Sequence, residues 1–393
     1  MRVALVHDWL TGLRGGERCL EAMCELFPEA DLFTLLHTTR DLPSVITQRR
    51  IVTSFLQRLP AVGRYYRYLL PLFPLAAESL DLRGYDLVLS SSHAVARGVI
   101  TDPRACHIAY VHTPMRYVWE AGADYFGPER LGRAARAAAL LVQSYLRLWE
   151  TSTASRPDFL IANSRNVALR IWKRYRRHAE VIHPPVDIDR FQILPEVGAH
   201  FAVVSALVPY KRIDLAIDVA NRLGFPLEIV GAGHEQSRLA RCAGPTVRFH
   251  GYVAEDTVPR IVGSARALLF PGEDDFGIAP VEAMAAGRPV IALARGGALE
   301  TVVPIDHEDR AATGVLFDDP SVASLTGAIR CFEACERRFE PAAIRAHALG
   351  FRAELFRARL FTHIETCLAT HRAMLHDRFS GPSLRVDALS ARS

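Results

Sequence analysis

Residues Leu268 to Glu300 read LLFPGEDDFGIAPVEAMAAGRPVIALARGGALE, and no other stretch restricts the fold as tightly. The apolar run Ala267 to Phe270 has the composition of a buried strand and breaks at Pro271-Gly272 into the acidic loop Glu273-Asp274-Asp275. Phe276-Gly277 follows. Pro280 suits the start of a helix, and Val281 to Ala286 continues it until Gly287. Pro289 to Leu293 reads as a second buried strand, followed by Arg295-Gly296-Gly297. Strand, acidic loop, helix, strand and glycine loop make one βαβ unit. Its polar residues gather where strands end and helices begin, the rim at which open α/β sheets bind ligands.

The chemistry of that rim suits a sugar nucleotide. Helix N-termini and glycine loops offer free N–H groups and a positive dipole end to a diphosphate or a sugar hydroxyl. Asp274 and Glu282, eight residues apart, can accept hydrogen bonds from sugar or ribose diols. A plainer reading stands beside it, in which Glu282 satisfies a helix N-terminus and the acidic loop is solvated.

With those residues in place, the segment resembles the signature of the retaining nucleotide-sugar glycosyltransferases of family 4. These have the GT-B fold and carry two glutamates eight apart around a Phe-Gly. Here the pair is Asp274 and Glu282, the first shortened to aspartate, with Glu273 one residue earlier. The resemblance implies that Glu282 binds the donor ribose, that the Asp274 loop contacts the transferred sugar, and that Phe276 and Gly277 border the donor.

Alternating short apolar strands and helices run through both halves, the pattern of doubly wound parallel sheets. Strands are expected near Val3–Val6, Asp31–Leu35, Leu87–Ser90, His107–Val111 and Phe159–Ala162 in the first half. In the second they are expected near Phe201–Ser205, Leu227–Val230, Val247–His250, Ala267–Phe270, Val290–Leu293 and Gly314–Phe317. The tandem prolines of Val181-Ile182-His183-Pro184-Pro185 suppress helix and fix an extended connector. The expected organisation is an acceptor-side Rossmann-like domain over 1–183 and a nucleotide-sugar domain over 184–350, facing a central cleft. A C-terminal helix over 351–377 returns to the first domain, as the resemblance implies, and a flexible tail follows over 378–393. Phe351, Leu355, Phe356, Leu360, Phe361 and Ile364 are spaced for one apolar face of that helix.

Bulk properties narrow the setting. No run approaches ~20 apolar residues, so no transmembrane helix is expected. Val3 to Val6 is too short for a signal-peptide core, which points to the cytoplasm. The seven cysteines are scattered, and Cys331 and Cys335 lack a partner pair with zinc-like spacing. Only Lys173 and Lys211 are lysines, so a lysine inside a motif is informative. Residues 1–190 carry 25 Lys and Arg against 19 Asp and Glu, the remainder 22 against 24. A basic first half favours an anionic partner, either a phospholipid surface or a diphosphate-bearing acceptor. No nucleic-acid motif accompanies the arginines. Residues 49–75 mix arginine, tyrosine and leucine without acid, and two readings remain: peripheral contact with the inner membrane, or a helix pair packed on its own domain.

Several further motifs sit at strand ends. His7-Asp8-Trp9 closes the first strand, and Gly12, Gly15 and Gly16 follow before the helix that contains Glu17. The resemblance implies that Gly15 and Gly16 border the donor diphosphate or the acceptor. Tyr110 to Tyr117 (YVHTPMRY) places His112 at a strand's C-terminal end; the family often has a histidine there that hydrogen-bonds the donor sugar. Arg116 and Tyr117 are acceptor-side candidates. HTPMRYVW and SSSHAVARGV are similar to a bacterial mannosyltransferase subgroup that makes surface polysaccharides. Ser164 in IANSRNV matches another cleft motif, with helix capping as the alternative.

In the second half, Val208-Pro209-Tyr210-Lys211-Arg212 leaves a strand for a positively charged loop. A diphosphate leaving group gains charge as its bond breaks. With no DxD-type metal motif visible, no cofactor or metal is expected, and Lys211 and Arg212 would supply the stabilisation. The family usually has an arginine five residues before this lysine; here Ala206 stands there, and Arg212 or an arginine of the first half is the candidate replacement. The resemblance further places Gly231 in a glycine turn, Gly251 and Tyr252 against the nucleotide base, and Gly296, Gly297 and Glu300 facing the diphosphate.

The resemblance therefore implies a retaining hexosyltransferase, with mannose from GDP-mannose as the expected donor and a glycan or polyprenyl-diphosphate-linked saccharide as acceptor. The alternatives are a UDP-sugar-dependent glucosyl or galactosyl transferase, and a catalytically impaired scaffold that binds nucleotide sugar.

Overall fold

The computed structural model describes residues 1–39, 41–119, 132–254, 256–307 and 310–379. The tail expected over 378–393 lies, from Ser380 on, outside them. Two all-parallel sheets form the frame. The first has seven strands in the order β3-β2-β1-β4-β5-β6-β7, where β1 is Val3–His7, β2 Asp31–Thr34, β3 Ile51–Thr53, β4 Leu87–Ser92, β5 Cys106–Val111, β6 Phe159–Ala162 and β7 Glu180–Val181. The second has six in the order β10-β9-β8-β11-β12-β13, from β8 Phe201–Val204, β9 Leu227–Val230 and β10 Val247–Gly251 to β11 Leu268–Phe270, β12 Val290–Leu293 and β13 Gly314–Phe317.

The central strands are buried on both faces, as parallel strands under helices must be, and so read as unbroken apolar runs. β12 (VIAL) is buried at every position, and β1 at all but its first. Strand order reverses between β1 and β4 in the first sheet and between β8 and β11 in the second. Loops leaving those two strands diverge and open a crevice, so each sheet has one switch point at which a ligand fits.

Six helices matter for the site: α1 Gly15–Leu26, α2 Arg165–Tyr175, α3 Ile213–Leu223, α4 Ile278–Ala285, α5 Ala298–Thr301 and α6 Ala353–Phe379. α6 packs on the first domain. Phe356, Leu360, Ile364, Cys367 and Leu368 share one buried cluster with Leu5, Leu20, Met23 and Ile108. Phe361, expected on that apolar face, is 46% exposed; the buried stripe follows 356, 360, 364 and 367/368, one helical turn per step, and position 361 falls off it. The chain thus crosses between the sheets twice, after β7 and again before α6. The two crossings are tied together, since Val186 N–H donates to the Phe351 carbonyl at 3.0 Å.

Residues 49–75 form neither a single helix nor a helix pair. They comprise β3, three 3-10 segments (Phe55–Arg58, Val62–Arg64 and Tyr66–Leu72, the last with Pro71 inside it) and the start of a short α-helix, Phe73–Glu78. Leu56, Val62, Tyr66 and Phe73 are buried, whereas Tyr68 is 86% exposed and Leu72 and Leu75 are exposed too. Arg49 is spent on the carbonyls of Cys24, Phe27 and Ala30 at the end of α1.

Candidate active site in the interdomain cleft

The first switch point carries a buried polar cluster. β1 and β4 are parallel neighbours, with His7 beside Ser91. Ser91 Oγ lies 3.1 Å from His7 Nδ1 and 2.8 Å from His112 Nε2, bridging the ends of β1, β4 and β5. The buried Asp8 carboxylate accepts the backbone N–H groups of His93, Ala94, Val95 and Ala96 at 2.7–2.9 Å, which fixes the loop after β4. Asp8 also stands 3.2 Å from His93 Nδ1. Glu17 accepts the N–H of Arg14 at the start of α1 and faces His7 at 4.0 Å. Gly16 lies against this cluster; a Cβ there would stand 3.5 Å from His7 Cε1 and 3.7 Å from His112 Nε2. Burial, then repulsion from the His93 and His7 rings, holds His112 well below the usual histidine range, so its imidazole is neutral at pH 7.

The second switch point carries the charges. β8 runs into a turn, Pro209–Lys211, and then into α3. Burial alone would lower the Lys211 pKa, but the Asp274 carboxylate against its Nζ overrides that and holds it above the usual lysine range. Close backbone approach makes this pair possible. A Cβ on Gly272 would stand 2.6 Å from Lys211 Cα and from the Tyr210 carbonyl oxygen, so Pro271-Gly272 lets the acidic loop lie directly on the lysine turn. Behind the loop, Gly297 N–H donates to the Asp274 carbonyl at 2.9 Å, and a Cβ on Gly297 would overlap the Phe276 carbonyl. Gly277 caps α4 with φ +84°.

The two rims meet. Gly15 at the start of α1 lies on Ile278 at the start of α4, where a Cβ would stand 2.6 Å from Ile278 Cδ1. Two helix N-termini therefore face one another across the cleft, both with their positive ends toward it. Arg116 of the first domain lies 3.9 Å from Asp274 and 3.6 Å from Asp275, and its guanidinium stacks over Tyr210 at 4.5 Å. Arg170 on α2 pairs with Glu273 at 2.8 Å and with Asp275.

The remaining expected site residues make the following contacts. Glu300 accepts from Arg165 N–H (2.9 Å) and Asn166 N–H (3.1 Å) at the start of α2 and lies 3.1 Å from His183 Nε2, so it ties the domains together. Phe276 is buried among His183 and Phe351 at the crossing. Ser164 is fully buried, caps α2 by accepting Val167 N–H and donates to Asn163, so its hydroxyl is committed to the helix. Arg212 turns to Asp214 and the Pro320 carbonyl. Tyr117 packs against the first domain's apolar cluster. Gly231 N–H donates to the Gly251 carbonyl at 2.9 Å, Gly296 takes φ +60° beside the acidic loop, and Tyr252 is 89% exposed beyond β10. Glu282 is half-buried on α4. His7, Glu17, Ser91, His93 and Arg170 were not singled out as site residues from the sequence. The signal available for His7, Ser91 and His93 was their position at the ends of β1 and β4 or just beyond them, and for Glu17 its place in the first turn of α1.

Two parallel-sheet Rossmann-like domains with a polar cleft between their switch points define the GT-B class. Two family models match the chain, "Glycosyltransferase Family 4" over residues 13–190 and "Glycosyl transferases group 1" over residues 187–347. Together the two matches support a family 4-like glycosyltransferase. A glycogen synthase of Xanthomonas axonopodis pv. citri is 32% identical over 159 residues, 38% of this chain and 31% of its own. A D-inositol 3-phosphate glycosyltransferase of Nocardioides sp. is 28% identical over 195 residues, 39% of this chain and 42% of its own. The chain thus spans less than half the length of these curated relatives. Among solved structures, Anabaena HepE in complex with UDP superposes with a TM-score of 0.63 at 18% identity, over 93% of this chain and 100% of that one. Sucrose-phosphate synthase from Thermosynechococcus elongatus gives 0.68 at 18% identity, over 94% and 100%.

Proposed function

We propose that this chain transfers a hexosyl group from a nucleoside diphosphate sugar to a glycan or lipid-linked acceptor, with retention of configuration. The observation that carries the reading is the meeting of the two rims. Lys211, the N-terminus of α4 and the N-terminus of α1 converge from separate switch points on one cleft. A donor diphosphate gains negative charge as the glycosidic bond lengthens, and the Lys211 ammonium and the backbone amides at both helix starts stabilise it where it develops. The acceptor hydroxyl approaches from the first domain, on the same face as the leaving group. The leaving oxygen takes the acceptor's proton, so no separate general base is needed. His112, held neutral, can donate or accept a hydrogen bond at a sugar hydroxyl without adding charge. Glu282 is assigned to the donor ribose and Asp274 to the transferred sugar.

Two donors are in view. HTPMRYVW supports mannose from GDP-mannose. The Anabaena structure with UDP-glucose and the glycogen synthase relatives favour glucosyl transfer from a UDP-sugar. Membrane contact through residues 49–75 belongs to this reading, on the strength of exposed Tyr68, Leu72 and Leu75 among Arg58, Arg64 and Arg67. Among the described residues no helix is long and apolar enough to cross a membrane.

The test is a thermal-shift panel of UDP-glucose, UDP-galactose, GDP-mannose, UDP and GDP. A ligand at ~100 times its Kd adds about 2.7 kcal/mol to the folded state. A rise confined to one nucleotide names the donor class. No rise with any of the five would sink the reading.

A further inference from the structure

Asp274 neutralises Lys211, so a diphosphate entering here would exchange with that carboxylate and draw on further cations. Ala206 stands where the resemblance places a second cation, and Arg212 is turned to Asp214 and the Pro320 carbonyl. A second cation is nevertheless present. Arg116 Nη1 lies 3.9 Å from Asp274 Oδ1, while Lys211 Nζ holds Asp274 Oδ2, so each carboxylate oxygen faces a different cation. The Arg116 guanidinium stacks over the Tyr210 ring at 4.5 Å, and Lys211 Nζ lies 5.5 Å from the same ring. Arg116 Nη1 also lies 3.6 Å from Asp275 Oδ2, so two cations and two carboxylates share one cluster whose anions a diphosphate would replace, one cation coming from the β8 turn and the other from the segment after β5.

We propose that Arg116 is the second cation of the diphosphate site, supplied across the cleft by the first domain in place of the arginine missing at position 206. The assignment rests on the nucleotide-sugar reading and deepens it. Three features suit Arg116 to the task. Its backbone is held in place: Met115 N–H donates to the buried Glu150 carboxylate at 2.9 Å and Val118 N–H to the Met115 carbonyl at 3.0 Å. Its side chain is mostly shielded from water, where a charge–charge interaction is screened less. Its planar fork can grip two phosphate oxygens at once, which lysine cannot do. The consequence is functional: the diphosphate meets both cations only when the two domains are together, so leaving-group stabilisation depends on closure.

Calorimetric titrations of UDP against UMP, and of GDP against GMP, isolate the β-phosphate. They are run on the wild type, Arg116→Ala and Arg116→Ala/Ala206→Arg. Loss of one charge-assisted contact predicts diphosphate affinity lower by about tenfold or more in Arg116→Ala. Monophosphate affinity stays within about twofold, since those contacts lie elsewhere, and Ala206→Arg restores most of the loss. Arg116→Gln, which keeps the aliphatic stem and a polar end without the charge, replaces Arg116→Ala if that variant does not fold. Diphosphate affinity equal to wild type, or an equal loss for monophosphate and diphosphate, overturns the assignment. A wild type that binds none of the four nucleotides overturns the nucleotide-sugar reading itself, and this assignment with it.

Discussion

Lys211 and His107 illustrate what single residues reveal and conceal. Lys211 is legible because an arginine-rich chain keeps only one other lysine and because a strand end precedes it. Its partner is half legible: Asp274 stands in a recognisable motif, but contact with Arg116 depends on two domains meeting, which no local spacing encodes. The bridge from Ser91 to His7 and His112 is hidden for a similar reason, since it joins residues 84 and 21 positions apart through sheet pairing. His107 makes a prediction at this scale. Burial, then repulsion from Arg97, Arg177 and Arg156, lowers its pKa to about 3, and Ser90 Oγ holds its Nε2 at 2.9 Å. Unfolded, the same imidazole takes a proton near pH 6.5. Below pH 6.5 the unfolded state binds the extra proton, so this residue's contribution to stability falls by about 1.4 kcal/mol per pH unit toward about pH 3. Above pH 6.5 the contribution is complete and flat. His112 adds a slope of the same sign. Denaturant melts at pH 7, 6 and 5 should therefore show falling stability, with a shallower fall in His107→Gln; equal slopes would contradict the burial argument.

At the scale of elements, strands buried on both faces were legible because an apolar run of four to six residues between turn residues has few other uses. β3 and β7 escaped. Ile51–Thr53 is half-buried at every position and Glu180–Val181 is two residues long, so neither edge strand presents a buried run. The 49–75 stretch misled in its detail, because arginine, tyrosine and leucine suggested a helix pair, while the segment, with Pro60 between two turns and Pro71 inside a third, forms short 3-10 segments before a six-residue helix at Phe73–Glu78. The acidic loop was placed correctly after β11, yet its tight seat on the lysine turn follows from Gly272 alone. Gly272→Ala would press a methyl group against Lys211 Cα and the Tyr210 carbonyl. Backbone cannot yield as a flexible side chain can, so a loss of about 1–3 kcal/mol is expected. Displacement of the loop from Lys211 should also weaken donor binding at least several-fold. Thermal melts and donor titrations of this variant check both effects, and unchanged donor affinity would separate the loop from the site.

At the scale of the molecule, the two domains are legible from the alternation of strands and helices and from the tandem prolines between them, whereas their mode of contact is not. Glu300 caps α2 across the cleft, Arg170 holds Glu273 and Asp275, and α6 returns to pack beneath β1 and β5. The basic surplus of the first half thus has a structural outlet, since Arg116 and Arg170 meet the acidic loop of the second. The central claim is retaining transfer at a cleft built around Lys211. Proton NMR of the donor chosen by the nucleotide panel, with water as acceptor, tests it most directly. The account predicts release of nucleoside diphosphate with the sugar first appearing in the donor's own α configuration. It also predicts a rate about 100-fold lower in Lys211→Ala, the scale expected when one transition-state charge contact is removed. First appearance of the β-anomer, no release by the wild type, or an undiminished rate in folded Lys211→Ala would contradict it.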